Sequence, residues 1–452
     1  MHYTFSNRLK IFSIILIIIG AVGWGVSYSN SHMTLDEVKT MLAEEASHGH
    51  GGGHGEASTD HHEAADEGHG GESHGEAAHG AEADHHGDEH ANHVMHQIHN
   101  RPYSALYVAA FFFMMIALGA LAFYAIQFAA QAGWSPVLFR VMEGITYYLL
   151  PGAIIVVAIA LWAGDHLFIW MDPEIVAHDK IIQGKQGFLN KKFFIGASIF
   201  FIAGWSGYRF LARKFSLAQD EASDNRNFVK SFRWAAGFLV FYIVTESIMS
   251  WLWVMSVDPH WFSTLFGWYV FASMFVSGIT AIAMITIYLK SRGYLEFVND
   301  SHLHDLAKFM FGISIFWTYL WFSQFMLIWY ADIPEEVTYF ATRIEHYKLP
   351  FFGMLVMNFV FPFLVLMNSD YKRIPWFIVT AGIVILIGHY FDVYNMIMPA
   401  TVGDGWGFGL PEISAISLFL GLFILIVFYA LTKAPLLAKR NPFIKESETF
   451  HY

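Results

Sequence analysis

Two ionisable residues three apart, His389 and Asp392, lie inside the apolar run 375–397. Three residues is close to one helical turn, so both side chains fall on one face of a helix. An imidazole beside a carboxylate can accept, share and release a proton. Charge at that depth in hydrocarbon is costly, which makes such a pair a functional candidate. Glu246 stands within the run 234–256 and Glu143 near the start of the run 142–165, and these two staggered carboxyl groups are candidates for a proton path. Further candidates sit where apolar runs end. Asp165 and His166 close one run, and Asp258 and His260 belong to the polar corner Asp258-Pro259-His260-Trp261 between two others. Asp165 and His166 are adjacent, so they point differently and cannot form one site unaided. A pocket for a flat ring with exchangeable protons would need such acceptors together with Trp, Tyr and Phe walls. Acids and histidines at run ends also read as helix caps in an interfacial belt. Buried Ser, Thr, Asn and Gln read equally as bonds between packed helices.

These residues are carried by a chain of 452 residues, 55% hydrophobic and 14% charged. With repeated apolar runs near twenty residues, that profile predicts an all-α polytopic membrane protein. Spans are expected near 9–28, 103–128, 142–165, 193–212, 234–256, 264–289, 308–330, 350–368, 375–397 and 413–432, about ten transmembrane helices. The first reads as a retained helix, because no small-residue cleavage site follows it. LFIWMDPE at 167–174 echoes LIWYADIPE at 327–335, and KKFFIG at 191–196 echoes KLPFFG at 348–353. An offset of about 160 residues covers four helices, so the repeats run parallel in the membrane. The expected arrangement is two parallel-related four-helix bundles, with peripheral first and last helices. In linear terms, an N-terminal helix (1–30) and a loop (31–100) precede 101–290 and 291–452, which divide the two bundles between them.

The chain has no cysteine. It cannot hold an iron–sulfur cluster through thiolates, attach haem through C-x-x-C-H, or form a disulfide. Residues 47–100 are low-complexity and hold 14 of the 24 histidines, including His61, His62, His85 and His86. With almost nothing apolar to bury, this segment is expected to stay disordered. It reads either as a weak multi-site chelator of Zn, Cu or Ni or as a solvated spacer. The net charge of −12 is concentrated there, and nothing points to nucleic acid. With both termini cytoplasmic, 18 of the 26 Lys and Arg residues fall on the inner side, as the positive-inside bias requires. The His-rich loop is then periplasmic.

SVDPHWFSTLFGWYVFASMFVSG at 256–278 and FWTYLWFSQFMLIWYADIPEE at 316–336 resemble the integral-membrane subunits of alternative complex III. That assembly is a bacterial quinol:electron-acceptor oxidoreductase. The similarity is to its ActF-like subunit, of the NrfD and PsrC type, and covers Arg101 to the C-terminus. It implies a bacterial inner-membrane location within a multi-subunit respiratory complex. The resemblance places haem c and iron–sulfur clusters on partner subunits, with no cofactor held by this chain. It places the better-supported quinol site on a sister membrane subunit. A role here in proton translocation, or in a second quinone pocket built from His389, Asp392, Asp165, His166, Asp258 and His260, is implied as a possibility. A secondary transporter or metal-ion permease is the competing class.

Overall fold

The computed structural model describes residues 2–48 and 77–451. Within them the regular structure is helical, and ten helices are long and apolar enough to cross a membrane. We number these α1 (Asn7–Ser31), α2 (His90–Ala129), α3 (Pro136–Trp162), α4 (Lys191–Glu221) and α5 (Arg226–Val257). They continue with α6 (Phe266–Ser291), α7 (Asp300–Ala331), α8 (Lys348–Leu366), α9 (Pro375–Val402) and α10 (Leu410–Leu431). Local sequence sets their starts. The Asn190 side chain accepts from Phe193 N–H at the head of α4, and Asn299 with His302 forms a capping box on α7. Pro136 and Pro375 stand in the first turns of α3 and α9, where a missing N–H costs nothing.

Contacts between helices form two rings. Helices α2, α3, α4 and α5 pack in one, and α6, α7, α8 and α9 in the other. The rings meet where α2 crosses α6, flanked by α2 against α9 and by α5 against α6. Two glycines make that crossing possible. A Cβ on Gly119 would lie 2.0 Å from the carbonyl oxygen of Met274, and one on Gly278 would lie 2.5 Å from Ala120 N. Glycine here allows two backbones to touch. Their separation along the chain is the repeat offset of about 160 residues, so each is the other's counterpart in a parallel repeat.

The two end helices are less alike than the sequence suggests. α1 packs along α10 through close approaches at Gly20 and Gly421, while α10 itself lies against α2 and the start of α3. Both termini lie on one face, where Thr4 Oγ1 is 2.8 Å from the Tyr294 hydroxyl and His2 bridges to Pro435. We call this the terminal face.

One expectation is corrected. Residues 77–100 are helical, continuing upstream from α2 as a single helix from Ala77. Ala and Glu favour helix, and extending an existing helix avoids the cost of nucleation. His61 and His62 lie outside the described residues, whereas His85 and His86 fall on this helical extension.

The crossing yields a direct test. Gly119→Ala should destabilise the protein by about 1–3 kcal/mol through overpacking. Gly207→Ala, where an added Cβ meets nothing within 4 Å, should leave the melting temperature in detergent unchanged.

Candidate functional site

His389 and Asp392 are both completely buried, on the side of α9 that faces α6, α7 and α8. Asp392 accepts from three directions. Tyr269 on α6 donates its hydroxyl to Oδ1, Trp317 on α7 donates its indole N–H to Oδ2 at 2.9 Å, and His389 Nδ1 lies 3.4 Å from Oδ2. The same Nδ1 is 2.9 Å from Ser273 Oγ and 3.4 Å from the amide nitrogen of Asn358. Trp317 meets the imidazole edge-to-face at 5.4 Å. Asn358 comes this close because α8 makes a π turn at Val356–Val360 and because α9 has glycine at 388. A Cβ on Gly388 would lie 2.1 Å from Asn358 Oδ1. His389 Nε2 is buried with no hydrogen-bond partner among the described residues. The pair is therefore two ionisable groups in contact, surrounded by hydroxyl, indole and amide groups, with the other ring nitrogen unbonded among the described residues.

Above this pair lies a crevice with room for about one water molecule, lined by Tyr269, Gln324, Tyr339, Arg343, Asp392 and Asn395. Arg343 enters from the helix Pro334–Glu345 and is 4% exposed. It donates to the carbonyls of Asn395 at 2.9 Å and Tyr339 at 2.6 Å, and its guanidinium stacks 3.4 Å from the centre of the Tyr339 ring. Tyr339 in turn stacks on Trp261 at 3.9 Å. Burial raises the Tyr339 phenol above its ordinary pKa, and the Arg343 charge opposes that rise. Gln324 Nε2 and Asn395 Oδ1 are buried there with no hydrogen-bond partner among the described residues.

Glu246 on α5 has a quieter setting. It is 2% exposed, and Ser250 Oγ donates to its carboxyl oxygen at 2.9 Å. No ion pair of Glu246 occurs among the described residues. Directly beyond it, Ser250–Val254 forms a π turn. The Tyr107 hydroxyl donates to the Trp253 carbonyl within that turn, at 2.8 Å. Trp253 and Trp205 donate to Ser198 and Thr245, each at 2.9 Å, which binds α4 to α5 around the acid.

Glu143 is placed differently. Near the terminal face it accepts from Arg140 at 2.9 Å, from Arg213, from Ser216 at 2.5 Å and from Tyr124 at 3.0 Å. Arg140 also pairs with Asp220 at 2.5 Å. Four side chains on three helices thus fix this carboxylate in its ion pairs, the setting of a lock rather than a relay.

The run-end candidates fall into separate surroundings. His166 stacks on Tyr103 at 4.2 Å, with Nδ1 2.8 Å from Asn100 Oδ1, and burial lowers its pKa. Asp165 is exposed, 3.7 Å from Lys191. His260 Nε2 lies 2.5 Å from Asp179 Oδ2. Asp258 lines a cleft of about 340 Å³ with Phe188, Trp251, Met255, Trp261 and Phe262. That volume suits a small ring ligand. Among the described residues no group of three or more His, Asp or Glu could hold a metal ion.

Tyr269, Trp317, Tyr339 and Arg343 were not singled out in the sequence. Arg343 had one visible signal, as one of the few basic residues on the face opposite the termini. The chain matches no family model, and no curated protein matches its sequence.

Two outcomes follow. Glu143→Gln leaves the Arg213 guanidinium without its acid and should cost about 3–5 kcal/mol, whereas Asp165→Asn should cost less than about 1 kcal/mol in the same thermal unfolding assay. Asp179 caps the helix Lys180–Lys185, and the Ile182 N–H and His260 hold its carboxyl below the usual range. A depressed carboxyl contributes stability above its unfolded pKa and loses it as pH falls through the folded value. Hydrogen exchange of 180–186, corrected for intrinsic rate, should stay protected down to about pH 5 and lose protection below about pH 4.

Proposed function

We propose that this chain is a membrane-embedded subunit of a quinol-oxidising respiratory complex of the alternative complex III type. In this reading it handles protons, while haem c and iron–sulfur clusters sit on partner subunits and a sister membrane subunit binds quinol. One observation carries the proposal. The two stretches that resemble that family, 256–278 and 316–336, supply Tyr269, Ser273 and Trp317, and all three converge on His389 and Asp392. The pair is hydrogen-bonded by neutral donors, and the Arg343 guanidinium in the same crevice donates to backbone carbonyls rather than to Asp392. Glu246 is the second proton-handling group of the proposal, and Glu143 is left to structure. The cleft beside Asp258 is where a quinone ring would fit on this chain. The membrane is the bacterial inner membrane, with both termini cytoplasmic and the His-rich loop periplasmic.

A secondary transporter is the alternative, favoured by one feature: the π turns in α5 and α8 lie beside Glu246 and Asn358, as irregular helices do at ion sites.

The deciding experiment purifies the tagged chain from its native host in mild detergent and records visible spectra before and after adding quinol. Co-purifying c-type haem that quinol reduces is the expected result. A colourless, stable protein purifying alone would overturn the respiratory reading in favour of the transporter. Within an intact complex, Glu246→Gln and Asp392→Asn should each lower proton-coupled turnover at least tenfold without loss of subunits. Unchanged turnover would remove the proton-handling role.

A further inference from the structure

Charge does not balance at the terminal end of the first ring. Arg140 on α3 and Arg209 and Arg213 on α4 stand near two carboxylates, Glu143 and Asp220. Arg140 pairs with both acids and Arg213 with Glu143. Arg209 forms no ion pair among the described residues. Its guanidinium lies over the Tyr147 ring, 4.2 Å from the centre, and its Nε and Nη1 are buried without a hydrogen-bond partner. Three positive charges against two negative leave one over, and it resides on Arg209.

Arg209 occupies the last turn of the apolar run 193–212, at the depth where hydrocarbon gives way to headgroups. Its neighbour Phe210 is 62% exposed, and across the seam on α3 Leu150 and Ile154 are 39% and 53% exposed. A charge left unpaired inside a span is costly, and a long arginine stem reaches for the interface to relieve it. What the site lacks is an anion with several acceptor oxygens, which a guanidinium binds bidentately. Apolar walls leading to that point suit acyl chains.

We propose that the seam between α3 and α4 at Arg209 binds the phosphate of an anionic phospholipid in the leaflet on the terminal face. The headgroup phosphate supplies the missing charge, and Leu150, Ile154 and Phe210 receive its chains. Arg213, one turn further along the same helix face, is occupied by Glu143 and leaves the headgroup to Arg209. The assignment is independent of the respiratory reading.

Thermal unfolding of the detergent-solubilised full chain tests it, with phosphatidylglycerol, phosphatidylcholine or inorganic phosphate added. A ligand that binds only the folded state raises the melting temperature. Phosphatidylglycerol should raise it by several degrees in the wild type, with little response to the other two. R209Q should lose that specific rise, and R209K, which keeps the charge but not the fork, should keep only part of it. An equal rise in R209Q, or none in the wild type, overturns the site, and in that case the charge falls to a carboxylate of a neighbouring chain. An equal response to inorganic phosphate overturns the lipid as the source. If R209Q does not fold, a photocrosslinker in place of Phe210 decides in nanodiscs of mixed lipid. Crosslinks enriched in phosphatidylglycerol support the proposal, and crosslinks in proportion to the mixture overturn it.

Discussion

Backbone contact between α2 and α6 at Gly119 and Gly278 is the constraint on which the rest of the architecture depends. In a bilayer the lipid tails are as apolar as the helices, so association rests on close packing rather than on hydrophobic burial. Two helices that touch through glycine gain that packing and leave narrow flanks on either side of the crossing. α9 fills one flank against α2 and α6, and α5 fills the other against the same two helices. Those flanking helices carry Asp392 and Glu246. The deepest carboxyl groups outside the terminal face are thus held against the axis that relates the two halves, where hydrocarbon does not reach them.

The buried acids divide into two kinds by what surrounds them. Glu143 is enclosed by Arg140 and Arg213, so neutralising it strands Arg213 and leaves Arg140 only Asp220. Asp392 and Glu246 are hydrogen-bonded by hydroxyl, indole and imidazole groups and form no ion pair with Lys or Arg among the described residues, although Arg343 lines the crevice onto which Asp392 opens. Desolvation disfavours the charged form, whereas donors favour it. The first arrangement suits a fixed joint among α2, α3 and α4. The second suits a group whose charge is meant to change.

Ten spans were legible because each is a long apolar run with few charges, and the acids inside them stood out against that background. His389 and Asp392 were legible as a pair because their spacing of three fixes a common face. Their partners were not, since Tyr269, Ser273, Trp317 and Asn358 come from three other helices and no local period encodes which faces meet. The π turns at Ser250–Val254 and Val356–Val360 were also hidden: nothing in SWLWV or VMNFV departs from ordinary helix composition. The ion pair of Arg140 with Glu143 was readable in principle, being three apart on one helix, yet an isolated acid in a span draws attention as a carrier before its neighbour is weighed. Composition misled at 77–100, where a polar, His-rich segment continues a helix already nucleated by the membrane span behind it.

The two faces of the molecule differ in how tightly they are bound. On the terminal face the tail crosses the mouths of both rings. Ser447 donates to the Trp134 carbonyl at 2.6 Å and accepts from Val137 N–H at 3.3 Å, both in the first ring. Its own carbonyl meets His302 Nε2 at 2.9 Å in the second, and Asn299 holds the Phe450 carbonyl at 2.7 Å. Together with the Glu143 ion pairs, these bonds fix the helix ends on that side against one another. The opposite face holds the cleft beside Asp258, the crevice under Arg343, and Gln324 Nε2 and Asn395 Oδ1, which have no hydrogen-bond partner among the described residues. That face has ties of its own, the Arg101–Glu412 ion pair at 2.9 Å and the Tyr347 hydroxyl donating to the Gly403 carbonyl at 2.5 Å, but they join helix ends locally and no tail crosses them among the described residues.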